Sequence, residues 1–343
     1  MSPVRVRLAV TLGDCAGIGP ELVLRALASP ELVQTVQLIA YGNAVLFNRV
    51  ASAAGIRFPV FRTVRQSDLA DALSETSSHI LVDDPFSEAN DLAPGRVHAV
   101  CGAKAAAWIR QAVADIRNGL GDALVTAPVN KEALHLAGVG FSGHTELLAH
   151  LTRATDPCMA FYADGLFVSL ATIHEAISNV PRLLTLPGLS RTIRLTHTAC
   201  VDFGIEAPRI GVLALNPHAG EHGLFGCEEA SVIQPVIETL RAEGLDVSGP
   251  LVPDTAFTWL FAGKKAPYDA YVAMYHDQGL IPFKMVAFDS GVNVTLGLPI
   301  IRTSPDHGTA FDIAWQGKAA PDSLFSAIRL AARMVAQTRA RKA

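Results

Sequence analysis

Short apolar runs of strand length alternate with helical segments along most of this chain. Runs of this kind cover Arg5–Thr11, Val36–Tyr41 and Ala123–Thr126 in the first part of the sequence. They recur later at Arg209–Leu215 and Ala270–Tyr275. A strand that is followed by a helix is the repeating unit of parallel sheets. The sequence therefore predicts an α/β fold with mainly parallel sheets and flanking helices.

Helices are predicted for seven segments between and after these runs. They are Glu21–Ala28, Val45–Ala54, Ala99–Gly119, Lys131–Ala137, Gly188–Phe203, Glu228–Glu243 and Asp322–Gln337. Two further apolar runs, Met159–Tyr162 and Phe167–Ala171, lie in the middle of the chain. Ligands of open α/β sheets bind at the carboxyl ends of strands, so functional residues are expected there.

Composition narrows the class of protein. The chain has 343 residues, of which 50% are hydrophobic and 17% are charged, as in a compact globular protein long enough for two lobes. The formal charge is -4 without a long basic run, which argues against nucleic acid as a partner. No uncharged apolar stretch reaches the roughly 18 residues of a membrane span.

The five cysteines are scattered, at Cys15, Cys101, Cys158, Cys200 and Cys227. Their odd number and irregular spacing argue against a disulfide framework or a cysteine zinc site. The first apolar run leads into a glycine-rich turn and lacks the cleavage site of a signal peptide. We therefore expect a cytoplasmic protein.

Three histidines come directly after strand-like runs. His174 ends the run Leu166–Ile173, His218 follows the strand at Arg209–Leu215, and His276 follows the strand at Ala270–Tyr275. Side chains that follow neighbouring strands can converge at one edge of a sheet, and three imidazoles suit a metal ion with an open position for substrate. The alternative is that each histidine only caps its loop.

The segment Gly143-His144-Thr145-Glu146 resembles the start of a helix. The free N–H groups and the positive dipole end of a helix bind anions, and an imidazole and a hydroxyl beside them suit a phosphate. The alternative is an ordinary N-cap in which Thr145 satisfies backbone donors.

Lys284, Asn293 and Arg302 interrupt an apolar stretch from Leu280 to Ile301. Charged groups in apolar surroundings need partners, and a bound phosphate or carboxylate would serve. The alternative is an internal ion pair, for example with Asp289 or Asp306.

Two segments are candidates for a cofactor loop. Gly13–Gly19 contains only part of a dinucleotide fingerprint, so we interpret it as a strand-to-helix turn that lines the site. His307-Gly308-Thr309-Ala310-Phe311-Asp312-Ile313 resembles the loop that surrounds the adenosine of the cofactor in isocitrate and isopropylmalate dehydrogenases. We therefore assign NAD or NADP to His307, Gly308 and Asp312.

Nearly the whole chain resembles the 4-hydroxythreonine-4-phosphate dehydrogenase family of vitamin B6 biosynthesis. The matching segments include Ala16–Glu21, Thr126–Lys131, Gly143–Glu146, Leu215–Glu221, Met274–Gly279, Gly291–Pro299 and Arg302–Ala310. Among the departures, His222 stands where glycine is common in that family. The resemblance implies a two-lobed, isocitrate dehydrogenase-like fold with the active site in the cleft.

The resemblance also implies roles for the residues selected above. The metal ligands fall on His174, His218 and His276, and the metal is zinc, cobalt or magnesium. The substrate-binding residues are His144, Thr145, Lys284, Asn293 and Arg302. The family forms homodimers with shared active sites, so one metal ligand, His276, is expected from the partner chain.

The implied reaction is oxidation of 4-phosphooxy-L-threonine at C3 by NAD or NADP. The product, 2-amino-3-oxo-4-phosphooxybutanoate, loses CO₂ to give 3-amino-2-oxopropyl phosphate. Asp254 and Lys284 are candidates for the general base. The family also has relatives that oxidise 4-phospho-D-threonate or 4-phospho-D-erythronate, so these two compounds are alternative substrates. A transferase or sensor that binds metal and phosphate without redox chemistry is the alternative from another class.

We expect the lobes to divide the sites between them. The first lobe, residues 1–126 with 305–343, would carry the cofactor loop. The second lobe, residues 127–304, would carry the metal and substrate residues and the dimer contact.

Overall fold

The computed structural model describes residues 5–76, 78–141, 143–163, 165–261 and 265–342. The chain forms two compact units, Met1–Pro157 with Leu298–Ala343, and Cys158–Gly297. Residues 127–157 and 298–304 thus belong to the first compact unit, whereas the sequence-based division assigned them to the second lobe.

The strands and helices are numbered in chain order. The strands are β1 (Val6–Thr11), β2 (Val36–Gly42), β3 (Arg62–Val64), β4 (Ile80–Asp83), β5 (Ala123–Thr126), β6 (Cys158–Ala163), β7 (Leu166–Leu170), β8 (Arg209–Leu213), β9 (Asp246–Leu251), β10 (Ala270–Ala273), β11 (Val292–Leu296) and β12 (Ile301–Pro305). The helices are α1 (Gly19–Ala28), α2 (Pro30–Thr35), α3 (Ala44–Ala54), α4 (Leu69–Glu75), α5 (Ala99–Arg117), α6 (Lys131–Leu136), α7 (His144–Thr152), α8 (Val180–Leu183), α9 (Leu186–Asp202), α10 (Gln234–Ala242), α11 (His276–Ala287) and α12 (Asp322–Lys342).

The first unit contains a parallel sheet with strand order β3-β4-β2-β1-β5-β12. All residues of β2 and β5 are buried. Continuous burial is expected when helices cover both faces of a parallel sheet. Helix α5 contacts β1, β2 and β5, and α12 contacts β1, β5 and β12. The carboxyl ends of β5 and β12 therefore lie side by side, at the edge where ligands bind in such sheets.

The second unit has the strand order β11-β6-β7-β10-β8-β9. Strand β6 runs antiparallel to β7 and to β11, while β7, β10, β8 and β9 are parallel. Part of its core consists of Ile193 on α9, Val212 on β8, Ile237 on α10 and Val272 on β10. The predicted fold class, α/β with mainly parallel sheets and flanking helices, is confirmed for both units.

Some boundaries differ from the sequence-based expectation. The stretch from Leu280 to Ile301 contains the end of α11 and all of β11, because a buried helix and a buried strand look alike in a short apolar run. Helix α12 continues past the expected end at Gln337, and Arg339 donates to Asp122 Oδ1 at 2.7 Å. No helix among the described residues is long and apolar enough to cross a membrane.

Candidate functional site

A cavity of about 140 Å³ lies in the first unit, at the carboxyl ends of β5 and β12. It brings together residues from three predicted groups: the strand end at Thr126, the helix start at Gly143, and the proposed cofactor loop. Its lining residues are Thr126, Pro128, Val129, Lys131, Gly143, His144, Ser304, Pro305, His307 and Gly308.

Arg302 lies on β12 and is only 3% exposed. Its Nε and Nη2 donate to Thr126 Oγ1 at 3.2 and 2.7 Å, and Thr126 lines the cavity. Burial lowers the pKa of Arg302 to about 9, so the guanidinium remains charged at neutral pH. A buried cation beside a cavity favours an anionic ligand there.

His144 is the first residue of α7, and Gly143 is its N-cap. Glycine has no side chain, so the N-cap residue makes no side-chain hydrogen bond to the helix start. This differs from the alternative in which the Thr145 side chain caps the helix. His144 Nε2 is shielded from solvent without a hydrogen-bond partner among the described residues. Burial, and then the charge of Arg302, hold the pKa of His144 well below its usual range. A neutral imidazole and the backbone N–H groups at the start of α7 therefore accompany Arg302.

Lys131 is a cavity residue that the sequence analysis missed. It opens α6, whose N-cap Asn130 accepts a hydrogen bond from Ala133 N at 2.8 Å. The signal was available, because Lys131 ends the motif Thr126–Lys131, which begins at the last residue of a buried strand. Lys131 thus adds a cationic residue to the cavity lining, together with His144.

The proposed cofactor loop meets the same cavity at His307 and Gly308. The loop packs on the glycine-rich turn after β1, where Ile18 N donates to Thr309 O at 3.0 Å. Gly13 in that turn has φ of 68°, and a Cβ there would lie 2.2 Å from the carbonyl oxygen of Pro128. The turn needs glycine at this position. Asp312 lies in the exposed part of the loop and does not line the cavity.

The three strands that precede the candidate metal ligands are neighbours in the second unit. Strand β10 lies between β7 and β8, and all three are parallel. Their carboxyl ends therefore share one edge of the sheet. The ring centroids of His174 and His276 are 5.6 Å apart. His276, which the sequence analysis expected from a partner chain, thus lies beside His174 within one chain.

The chemistry of this pair fits a metal ion. Two imidazoles on one tetrahedral ion, with bonds of about 2.1 Å, place their ring centroids roughly 5 Å apart. His276 Nδ1 lies 2.7 Å from Asp277 Oδ1, which leaves Nε2 for a ligand bond. Within the described ranges, however, no three His, Cys, Asp or Glu side chains form a group that could hold a metal.

His218 is exposed in the turn Pro217–Gly223. The five residues from His218 to His222 all have positive φ, between 42° and 76°. Four of them are not glycine, so the turn is strained. The ring centroid of His218 lies 6.5 Å from that of Phe225.

The remaining candidates also lie in the second unit. Lys284 is on α11, with its Nζ 5.5 Å from the ring centroid of Phe288, and Asn293 is on β11. Asp254 is exposed in the turn after β9.

Comparison with known proteins gives a consistent result. The model of the family described as pyridoxal phosphate biosynthetic protein PdxA matches residues 34–331. A 4-hydroxythreonine-4-phosphate dehydrogenase of Geobacter metallireducens is 43% identical over 341 residues, which cover 97% of each chain. A D-threonate 4-phosphate dehydrogenase of Salmonella typhimurium is 43% identical over 325 residues, 94% of this chain and 97% of that relative.

A solved structure agrees with these relatives. The 4-hydroxythreonine-4-phosphate dehydrogenase of Klebsiella pneumoniae is 41% identical and superposes with a TM-score of 0.86. The match covers 98% of this chain and 99% of that one. By its sequence and by its fold, this chain belongs to the family of the pyridoxal phosphate biosynthetic protein PdxA.

Proposed function

We propose that this protein oxidises 4-phosphooxy-L-threonine at C3 with NAD or NADP, in the biosynthesis of pyridoxal phosphate. The observation that carries the proposal is the cavity wall at the start of α7, where neutral His144 lies, with buried Arg302 bonded to the wall residue Thr126. These groups can bind a phosphate in the first unit. The names of close relatives support the choice of substrate class.

The phosphate anchor fixes the reacting carbon relative to the rest of the site. Arg302 supplies a charge that stays in place because Thr126 holds the guanidinium. Thr145 and the backbone N–H groups at the start of α7 add hydrogen-bond donors. The family resemblance adds Lys284 and Asn293 to the substrate-binding set.

His174, His218 and His276 are the proposed ligands of one divalent ion, zinc, cobalt or magnesium. Bound there, the ion would supply a Lewis acid that makes the substrate hydroxyl easier to deprotonate. Asp277 accepts from the His276 ring, so it fixes the orientation of that imidazole. Asp254 and Lys284 remain the candidates to accept the hydroxyl proton.

We assign the nicotinamide cofactor to the loop His307–Ile313, with His307, Gly308 and Asp312 as contact residues. The cofactor would accept the hydride from C3. Support comes from the position of His307 and Gly308 in the wall of the cavity that holds the phosphate residues. In a transferase without redox chemistry this loop would have no evident function. If NAD raises the thermal stability of the protein, this would argue against such a transferase.

The homodimer is also part of the proposal. Ile281 and Met285 on α11 are 62% and 65% exposed, and Phe288, directly after this helix, is 72% exposed. An apolar row of this kind is typical of a surface that another chain covers. The family resemblance implies that a site takes His218 from one chain and His276 from its partner, and mixed dimers of inactive His218→Ala and His276→Ala subunits should then regain activity. No recovery would mean that His174, His218 and His276 act within one chain, where His174 and His276 are neighbours. A monomer at micromolar concentration would contradict the proposal.

Cytoplasmic localisation completes the assignment. It is supported by the five cysteines, all of which are free thiols, as expected in a reducing compartment.

A substrate panel tests the function. The purified protein is assayed for NADH and NADPH formation with 4-phosphooxy-L-threonine, 4-phospho-D-threonate, 4-phospho-D-erythronate and unphosphorylated 4-hydroxy-L-threonine. We expect the highest kcat/KM with 4-phosphooxy-L-threonine. A preference for 4-phospho-D-threonate would favour the activity for which the Salmonella relative is named. Turnover of none of them would exclude a dehydrogenase of this substrate class.

A further inference from the structure

Glu229 is a buried carboxylate outside every site described so far. It is 6% exposed and starts the π-helical turn Glu229–Ile233 that leads into α10. A buried carboxylate is costly unless hydrogen bonds replace its water. Its partners therefore indicate what the group is for.

Among the described residues, Glu229 accepts hydrogen bonds from the segment that follows β8. Leu215 N and Asn216 N donate to Oε1 at 2.8 and 2.7 Å, and Asn216 Nδ2 donates to Oε2 at 2.9 Å. Burial acts to raise the pKa of Glu229, but these hydrogen bonds outweigh it and leave the pKa below its usual value. The carboxylate is thus ionised and binds the start of the turn that carries His218.

The turn also fits around Glu229 from its other side. Gly220 has φ of 76°, and a Cβ there would lie 2.7 Å from Glu229 Oε2. Any larger residue would push against the carboxylate. One side chain therefore contacts the turn on both sides of His218, at Asn216 and at Gly220.

A strained turn needs such an anchor. Left-handed backbone is unfavourable for residues other than glycine, and His218, Ala219, Glu221 and His222 all adopt it. Leu224 N and Phe225 N donate to the carbonyl oxygens of Glu221 and Gly220, so these hydrogen bonds join residues of the turn to one another and not to the sheet. Glu229 connects the turn to the rest of the unit, since it binds the residues between β8 and the turn.

We propose that Glu229 is a positioning residue, whose carboxylate fixes the turn after β8 and thereby holds His218 at the edge of the sheet where His174 and His276 meet. The proposal rests on the assignment of His218 as a metal ligand under the proposed function. Groups that orient metal ligands from outside the coordination shell typically change metal affinity by about 10–100-fold.

The test compares Glu229→Gln with Glu238→Gln, a change at an exposed glutamate on α10 that accepts a hydrogen bond from Gln234. Co²⁺ affinity is measured by calorimetry, and amide hydrogen exchange is followed over residues 215–224 in the metal-free protein. We expect Glu229→Gln to weaken Co²⁺ binding at least tenfold and to speed exchange in this segment. Glu238→Gln should change neither.

Gly220→Ala approaches the same contact without removing the carboxylate. Its control is Gly223→Ala, because Gly223 has φ of 93° but a Cβ there would meet no atom within 4 Å. Both changes strain the backbone, and only the first presses on Glu229. Weaker Co²⁺ binding in Gly220→Ala than in Gly223→Ala would support the proposal even if Glu229→Gln failed to fold.

Three results separate the possible failures. Unchanged exchange over residues 215–224 in folded Glu229→Gln would overturn the claim that Glu229 fixes this turn. Faster exchange with unchanged Co²⁺ affinity would overturn the claim that Glu229 positions His218 for metal binding. Absence of Co²⁺ binding by the wild-type protein would overturn the metal assignment in the proposed function, and the metal part of this proposal with it.

Discussion

The guanidinium of Arg302 donates twice to the hydroxyl oxygen of Thr126, across the neighbouring parallel strands β12 and β5. The two bonds hold a buried charge in one orientation beside the cavity. A cation that is fixed before the substrate arrives loses little conformational freedom when it binds a phosphate. This relationship underlies the first prediction.

Arg302→Ala should lower kcat/KM for 4-phosphooxy-L-threonine by on the order of 10²-fold or more, because a charge-assisted contact to a desolvated phosphate is lost. The unphosphorylated analogue should be affected much less, since it never made that contact. Steady-state kinetics with both substrates measure the difference. An equal loss for both would assign Arg302 a structural role.

His174→Ala and His276→Ala should each weaken Co²⁺ binding strongly, because their rings lie 5.6 Å apart and would share one ion. The double variant should lose far less than the sum of the two single losses, as expected when both residues act on one ligand. Calorimetric titration of the three variants measures this. His135→Ala, an exposed histidine on α6, serves as the control. Additive losses would place the two rings at independent sites.

Asp14→Asn should stabilise the protein at about pH 8, by about 1–2 kcal/mol after the cost of burying an unpartnered amide N–H. Burial raises the pKa of Asp14 from 3.8 to about 6, so the folded state disfavours the charged form. The stability linked to Asp14 is complete below the unfolded pKa and is lost as the pH rises through the folded pKa. The advantage of the variant should therefore shrink as the pH falls from 8 to about 4. Denaturant unfolding across this range checks it, and a gap independent of pH would contradict it.

Acidification should destabilise the protein through His79. Burial, with a smaller contribution from the charge of Arg5, lowers the pKa of His79 from 6.5 to about 4. His79 Nδ1 accepts from Leu38 N at 3.1 Å, which requires the neutral ring. The stability linked to His79 is present above the unfolded pKa and is lost as the pH falls through the folded one.

The expected loss from His79 is about 2 kcal/mol between neutral pH and about pH 5. His79→Asn keeps an acceptor near Leu38 but does not titrate, so it should be less stable than wild type at neutral pH and less sensitive to acid. Urea unfolding of both proteins gives the comparison. Identical acid sensitivity would rule out His79 as its source.

His222→Gly should stabilise the protein by about 0.5–1 kcal/mol, because His222 has φ of 57° in an exposed turn. Glycine adopts this backbone conformation without the Cβ penalty. His222→Ala retains the Cβ and should show no comparable gain, which makes it the matched control. Thermal unfolding of the two variants checks the prediction, and an equal effect of both would attribute it to the imidazole.

The strand-helix alternation was sufficient to predict the fold class, because the buried strands β1, β2 and β5 are short apolar runs with turn residues after them. It did not reveal the antiparallel pairing of β6 with β7 and β11. Pairing direction depends on how distant segments meet, and the apolar pattern of a strand is the same for either direction.

Only part of the candidate site could be predicted from the sequence. His174 and His276 could be selected because each follows a strand, but their proximity depends on β7 and β10 being neighbours, which the order of strands along the chain does not give. The role of Thr126 was hidden for a similar reason. A threonine that ends a strand is common, and only the pairing of β5 with β12 places it under Arg302.

The division of the chain has a consequence for biosynthesis on the ribosome. The first unit consists of Met1–Pro157 and Leu298–Ala343, with the whole second unit between them in the sequence. Strand β12 and helix α12, which cover β5 and β1, are therefore translated only after the second unit is complete. Until then, β1 and β5 lack the helix that packs on them in the finished protein, and β5 lacks its partner strand β12. A period of exposed apolar surface is when a growing chain is most prone to aggregate, so synthesis of this protein should depend more on chaperones than its finished structure suggests.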